Sequence, residues 1–469
     1  MSPLRLRVDA LDFSVDAEAA FAACFRDSPH AFWLDSSRPG DSRAHWSFLG
    51  DASGPYARVV TADVWAGTVT ERSGGDTWTK QEPFFDWLAR EHRRDDVDVS
   101  GVDLPFRLGW VGYLGYELKA ECGGARVHRS PDPDAALLFA DRMLAVDTAG
   151  GRAYLAALDD GSAEVSAWFA GMRRRLASLE RSAPAVTRPS GRARLRLRHG
   201  RAAYLALVER CQDAIAAGDT YEVCLTNLAE ASVDLDPWEA YRFLRRAAPA
   251  PYAGYLRFGD RTVLSTSPER FLAVSAAGVA ESRPIKGTRP RGSDVAEDAG
   301  LAAELAASSK DRAENLMIVD LVRNDLARVA RPGSVEVTGL FDVESYATVH
   351  QLVSTVRARL RADRSAIDCV RAAFPGGSMT GAPKLRTMEI LDELEAGARG
   401  VYSGVFGWFG IDGALDLAMV IRTVVLSPGS VRYGVGGAIV ADSDPAAEYE
   451  ETAVKATPLL RLLDTTFPR

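Results

Sequence analysis

The chain is short of lysine. Of its 56 basic side chains only six are lysine (Lys80, Lys119, Lys286, Lys310, Lys384 and Lys455), and the rest are arginine. Arginine stays protonated near neutrality, whereas an amine can shed its proton and attack carbon. A lysine kept in such a chain is therefore a candidate for chemistry a guanidinium cannot do. Cysteine is scarce too. The five residues Cys24, Cys122, Cys211, Cys224 and Cys369 are scattered, with no CxxC spacing. That argues against a zinc ribbon and a disulfide framework, so a reducing cytoplasm is expected. No apolar run approaches the roughly 18 residues of a membrane helix, and MSPLRLRVDALDF shows no apolar core of a secretory signal. Positive charge is not in excess. The formal net charge is -8 over 469 residues, which excludes the basic footprint of a non-specific nucleic-acid binder.

What is present is ordinary for a globular chain: 47% hydrophobic and 26% charged residues, which excludes a disordered or fibrous protein. Residues 1–180 read as mixed α/β, with strand-like alternation over 57–69 and 142–158 and helices over 16–27 and 161–180. Residues 181–199, rich in Pro, Ser and Arg, read as a linker running into an edge strand. Residues 200–469 carry the sharper signals. An amphipathic helix over 201–217 ends at Gly218. Strands, the loop SRPIKGTRPRG, helices over 297–309 and 311–330, a strand VHQLVSTVRARL and three glycine-spaced strands follow. A final helix spans PAAEYEETAVKATPLLRLL. Many antiparallel strands with interleaved helices predict an α+β fold, a large two-sheet sandwich with helices outside.

Several constellations carry chemistry. Glu448, Glu451 and Lys455 fall at i, i+3 and i+7, one face of one helix, directly after the glycine-rich GGAIVADSD. The helix DRAENLMIVDLVRNDLAR is apolar almost all round, so it is expected to be buried. Its charges Asp320, Arg323 and Asp325 suit an internal network, while Glu314 is better placed to face a cleft. Carboxylates from two separate helices suit Mg2+, a hard ion that leaves positions open for substrate. Arg422 alternates with Val420 and Val424 on an apolar strand face, where it wants a planar anion such as a carboxylate, or a salt bridge. The loop GGSMTGAPK (376–384), with Thr380 at its centre, fails the GxxxxGK[ST] spacing, so nucleotide binding is rejected. Backbone donors near a substrate, or a tight turn, remain. Lys286 lies between Pro284 and Gly287, with Arg283, Arg289 and Arg291 nearby. Neighbouring cations should depress its pKa and free the amine.

These residues resemble the chorismate-utilising enzymes: anthranilate synthase component I, aminodeoxychorismate synthase component I, and the isochorismate and salicylate synthases. The likeness runs through SPERF (267–271), RPIKGT (283–288), ENLMIVDLVRNDLARV (314–329), GSMTGAPK (377–384), YSGVFGW (402–408), IRT (421–423) and GAIVADSDPAAEYEET (437–452). AFWLDS (31–36) and GWVGYLGYE (109–117) extend it more weakly. The resemblance implies metal ligation by Glu314 and Glu451, with Glu448 close by. It implies a substrate carboxylate held by Arg422 and Tyr402 with backbone at Gly436 and Gly437. It also places Thr380, Lys455 and His350 around the substrate.

Within that family the PIKGT form implies an aminodeoxychorismate synthase, since anthranilate synthases carry alanine at the lysine position. Lys286 is then implied to attack C2 of chorismate and expel the C4 hydroxyl, with Glu269 as the general acid. Ammonia adds at C4 and displaces the lysine. An isochorismate-forming alternative would need a lysine base where this chain has Glu222, and the role of Glu222 stays open. No cysteine here sits in a GxCxG-like elbow. A separate glutaminase subunit is therefore expected to supply ammonia, for para-aminobenzoate and folate or for a secondary metabolite.

Overall fold

The computed structural model describes residues 4–36, 45–179, 186, 193–346 and 349–468. The predicted linker 181–199 thus lies mostly outside the described residues. Its end forms the short strand Arg196–Leu197, paired antiparallel with Glu230 and Ala229.

Two large sheets face each other. Among the described residues one has 13 strands and the other 12. Pairing is antiparallel apart from the short parallel contact of Leu4–Ala10 with Val97–Asp98. Both sheets draw strands from early and late in the chain. In the first, Tyr252–Phe258 pairs with His30–Asp35. In the second, Val405–Gly410 pairs with Gly109–Leu114. The sandwich is therefore interleaved, and its core packs residues of both sheets, among them Phe32, Phe48, Trp110, Leu137, Leu256 and Phe406.

Helices cover the outer face of the 13-stranded sheet. Ala17–Cys24, Ala163–Ala177, Pro237–Ala247 and Thr457–Leu463 seal a second core around Phe21, Trp33, Trp238 and Tyr241. Arg201–Ala216, Lys384–Glu395 and Pro445–Lys455 seal a third, where Tyr204, Leu207, Val208 and Cys211 form the predicted apolar stripe. Gly218, just past the first of these helices, takes φ +82°, a left-handed stop that suits glycine.

Four local expectations are corrected. The segment DLAMVIRTVVL is not one strand. Leu415–Met419 belongs to the 12-stranded sheet and Thr423–Ser427 to the 13-stranded one. Residues 420–422 carry the chain across, with Arg422 at φ +52°. Periodicity could not show this, because the apolar pattern runs unbroken through a change of sheet. SRPIKGTRPRG is not a loop, since Ile285–Pro290 forms an edge strand with a register shift between Ile285 and Thr288. The helix Ser309–Ala327 is not buried all round. Ile318, Val319 and Leu326 are buried, but Leu316 is half exposed. The last helix breaks at Ala456 into Pro445–Lys455 and Thr457–Leu463.

Candidate functional site

Several of the predicted residues come together around Lys286, where Glu222, Glu314, Glu269 and Glu451 all act on its charge or share its field. Lys286 comes from the edge strand Ile285–Pro290 and Glu222 from the start of Glu222–Ala231 in the opposite sheet. Lys286 Nζ donates to Glu222 Oε1 at 2.7 Å and lies 3.9 Å from Glu314 Oε2. Gly287, at φ +82°, lets the strand pass Asp311. An added Cβ would lie 2.8 Å from its carboxyl carbon.

The charge state of Lys286 reverses the sequence expectation. Burial pulls its pKa down, but the carboxylates of Glu222 and Glu314 outweigh it and hold the ammonium above the usual lysine range. The neighbouring guanidiniums do not oppose this, because each has its own acid. Arg283 meets Glu344, Arg289 meets Glu304 and Asp311, and Arg291 meets Asp298.

Glu269 is buried, and its Oε1 accepts from Ser378 Oγ at 3.0 Å. Burial pushes its carboxyl up to about 7, against the pull of Ser378 and Lys286. A carboxyl half protonated at neutrality is poised to give a proton to a departing oxygen. The loop 376–384 thus contributes a side-chain hydroxyl here. Thr380 is turned elsewhere: its hydroxyl donates to the Gly376 and Gly377 carbonyls of its own loop.

The acidic face forms as its spacing predicts. Glu448 and Glu451 stand over Gly437, where an added Cβ would lie 3.0 Å from Glu448 Oε2 and 3.8 Å from Glu451 Oε1. Lys455 Nζ lies 2.6 Å from Glu451 Oε1 and donates to the Gly436 carbonyl at 2.8 Å. Burial, with the charge of Glu451, raises the Glu448 carboxyl even though Ser443 donates to it at 2.7 Å. Burial likewise raises Glu314, which also lies 3.9 Å from Lys310 Nζ. Burial raises Glu451 too, but Lys455 outweighs it and leaves the carboxyl lowered.

Among the described residues no three acidic, histidine or cysteine side chains converge into a preformed metal cage. Glu314 and Glu451 each meet an ammonium instead. The donor set nevertheless fits a hard cation. It comprises three carboxylates on two helices, the oxygen donors that a hard cation such as Mg2+ takes.

Tyr402 packs flat on backbone. An added Cβ at Gly434 would lie 2.0 Å from its ring. The tyrosine lines a cavity of about 170 Å³ together with Arg399, Thr423 and Tyr433. Arg422 sits at the crossover between sheets, its carbonyl accepting from Thr266 N and Oγ1. His350 is not brought to this cluster through its ring nitrogens. Nδ1 pairs with Ser345 Oγ at 2.8 Å and Nε2 with Asp298 Oδ1 at 2.9 Å. In the predicted acidic network, Asp320 and Arg323 pair at 2.8 Å on an exposed face, whereas Asp325 pairs with Lys384 at 2.6 Å.

Sequence reasoning passed over Glu117, although GWVGYLGYE ends on it. Its two oxygens accept the N–H groups of Arg399 and Gly400, both at 2.9 Å, and so fix the turn leading to Tyr402. Burial pushes this carboxyl up to about 7.

Residues 30–461 match the family described as chorismate binding enzyme. The chain is 58% identical over 477 residues to an aminodeoxychorismate synthase of Streptomyces griseus, covering 100% of this chain and 66% of that one. It is 42% identical to aminodeoxychorismate synthase component 1 of Salmonella typhimurium, over 89% of this chain and 93% of the relative. The solved structure of anthranilate synthase component I from Streptococcus pneumoniae TIGR4 superposes with a TM-score of 0.76 at 28% identity, over 88% and 92% of the two chains. The chain thus spans slightly less than two thirds of the length of the Streptomyces relative.

Proposed function

The chain belongs to the chorismate-binding enzyme family, and from that premise we propose that it aminates chorismate at C4, as the chorismate-converting part of an aminodeoxychorismate synthase. The observation that carries this reading is Lys286, a retained amine 2.7 Å from Glu222, in the same buried site as a carboxyl that is half protonated at neutrality.

In this reading Lys286 first leaves a proton on Glu222, its nearest acceptor. Its nitrogen then forms a bond to C2, both conjugated ring double bonds shift, and the C4–oxygen bond breaks; the same shift runs in reverse when ammonia adds. Glu269 supplies the proton that lets the oxygen leave as water. Ammonia forms a bond to C4, the C2–nitrogen bond breaks, and the electron pair returns to Lys286. The new ammonium returns one proton to Glu269, and Lys286 recovers its own from Glu222. Protons and electrons balance, and the net change is hydroxyl replaced by amine.

Arg422 and Tyr402 would orient one substrate carboxylate, with the backbone of Gly436 and Gly437 beside it. Glu314, Glu451 and Glu448 would hold Mg2+, which when bound neutralises carboxylate charge on the substrate. The names of the component 1 relatives support a second component, and the lack of a nucleophile-elbow cysteine supports a glutaminase in that role. A cytoplasmic setting and a product feeding para-aminobenzoate complete the reading. No helix among the described residues is long and apolar enough to cross a membrane. The test is incubation of the chain with chorismate, Mg2+ and ammonium salt. 4-Amino-4-deoxychorismate is expected, and a C2-aminated or isochorismate product would overturn the assignment.

A further inference from the structure

Glu222 is only half used. Its side chain is 1% exposed, and one oxygen accepts from Lys286 Nζ at 2.7 Å. The other, Oε2, is buried with no hydrogen-bond partner among the described residues. A buried carboxylate oxygen left unsatisfied is costly, and such an atom in a catalytic site calls for a ligand that donates to it. Neighbouring backbone does not serve. The hydroxyl of Thr220, two residues before, is engaged with the Glu222 and Ala382 carbonyls and with Thr387 Oγ1. The strand pairs here with Gly381–Ala382, and Tyr221 and Cys224 donate their N–H groups to the Ala382 and Thr380 carbonyls.

We propose that Glu222 Oε2 seats the nitrogen nucleophile. The ligand is a small, neutral N–H donor, ammonia. This rests on the reading above, in which ammonia is the second substrate. One N–H donated to Oε2 anchors the molecule beside Lys286. The single lone pair then points away from the carboxylate, toward the ring held in the same site. Glu222 thus has two tasks on its two oxygens: Oε1 holds the amine that adds to C2, and Oε2 holds the ammonia that adds to C4.

The experiment uses the full chain with Mg2+, and ammonium chloride varied at fixed pH. Glu222→Met keeps length and apolar packing but has no acceptor. Its KM for ammonia is expected to rise by up to about tenfold, the loss of one hydrogen bond. A cooperative melt with an unchanged circular-dichroism spectrum reports an intact fold. Glu222→Asp keeps two acceptor oxygens and should leave the ammonia KM well below that of the Met variant. A Met variant with unchanged ammonia KM would show that Glu222 merely holds Lys286, and Met and Asp variants shifting it equally would also overturn the seat. The underlying reading is judged separately. Wild-type enzyme quenched with chorismate but no ammonia should carry an adduct on Lys286, and its absence counts against the lysine chemistry. An adduct with an unmoved ammonia KM counts against Glu222 alone.

Discussion

Lys286 Nζ and Glu222 Oε1 meet at 2.7 Å although the residues are 64 apart in sequence and belong to different sheets. The contact joins the two layers of the sandwich at the point where the lysine is held charged. It sets the first prediction. Lys286→Arg keeps the ion pair and the charge but cannot attack carbon, because a guanidinium does not give up its proton near neutrality. Mass spectrometry should find no chorismate adduct on this variant, and 4-amination should vanish. A variant that still forms 4-amino-4-deoxychorismate at the wild-type rate would refute the covalent role.

Glu269 makes activity and stability move together with pH. Its folded-state carboxyl, at about 7, lies above the unfolded value near 4.5. The protonated form is the useful one, so turnover should fall as pH rises through about 7. The sign for stability follows. The folded state binds the extra proton between the two values, so the contribution of Glu269 is intact at low pH and is lost as pH rises from about 4.5 to 7. Glu269→Gln removes that cost. At pH 8 it should raise the melting temperature while lowering kcat by about 10²–10⁴. Equal melting temperatures for wild type and variant at pH 8 would show that the carboxyl is not held under strain.

Metal dependence can be read without turnover. Isothermal titration with Mg2+ should show binding that weakens in Glu314→Ala and Glu451→Ala, and each variant should lose activity. Full activity in excess EDTA would remove the metal from the account.

Gly434 tests the placement of Tyr402. Alanine there would bring Cβ to 2.0 Å from the ring, too close for any small adjustment. Overpacking of this kind costs about 1–3 kcal/mol, so Gly434→Ala should melt earlier. The displaced ring should also raise the KM for chorismate. Unchanged kinetics would detach Tyr402 from substrate binding.

The purified chain should use ammonium salt and fail with glutamine. Glutamine hydrolysis by the chain alone, followed as glutamate release, would contradict a separate ammonia source.

Much of the site was legible because it is local. Glu448, Glu451 and Lys455 fall on one helix face by spacing alone, and the Glu451–Lys455 pair at 2.6 Å follows from it. Glu269 and Lys286 were found through short motifs. What could not be read are relations between distant segments. The depressed pKa expected for Lys286 rested on arginines close in sequence, whereas its environment is set by Glu222 and Glu314 from other elements. The run Val420–Val424 hides a change of sheet because both ends are apolar. The commitments of Thr380 and His350 depend on loop and strand contacts that no residue pattern specifies.

The interleaving has a consequence for how the protein comes into being. Tyr252–Phe258 completes its sheet only against His30–Asp35, and Val405–Gly410 only against Gly109–Leu114. On the ribosome the early strands must wait, unpaired at their edges, for partners more than two hundred residues downstream. Assembly dominated by such distant pairings is slow and exposes sticky edges while it lasts. A cell making this chain therefore faces its greatest aggregation risk before synthesis is finished. Two halves expressed apart should each be insoluble, yet recover a common fold when produced together.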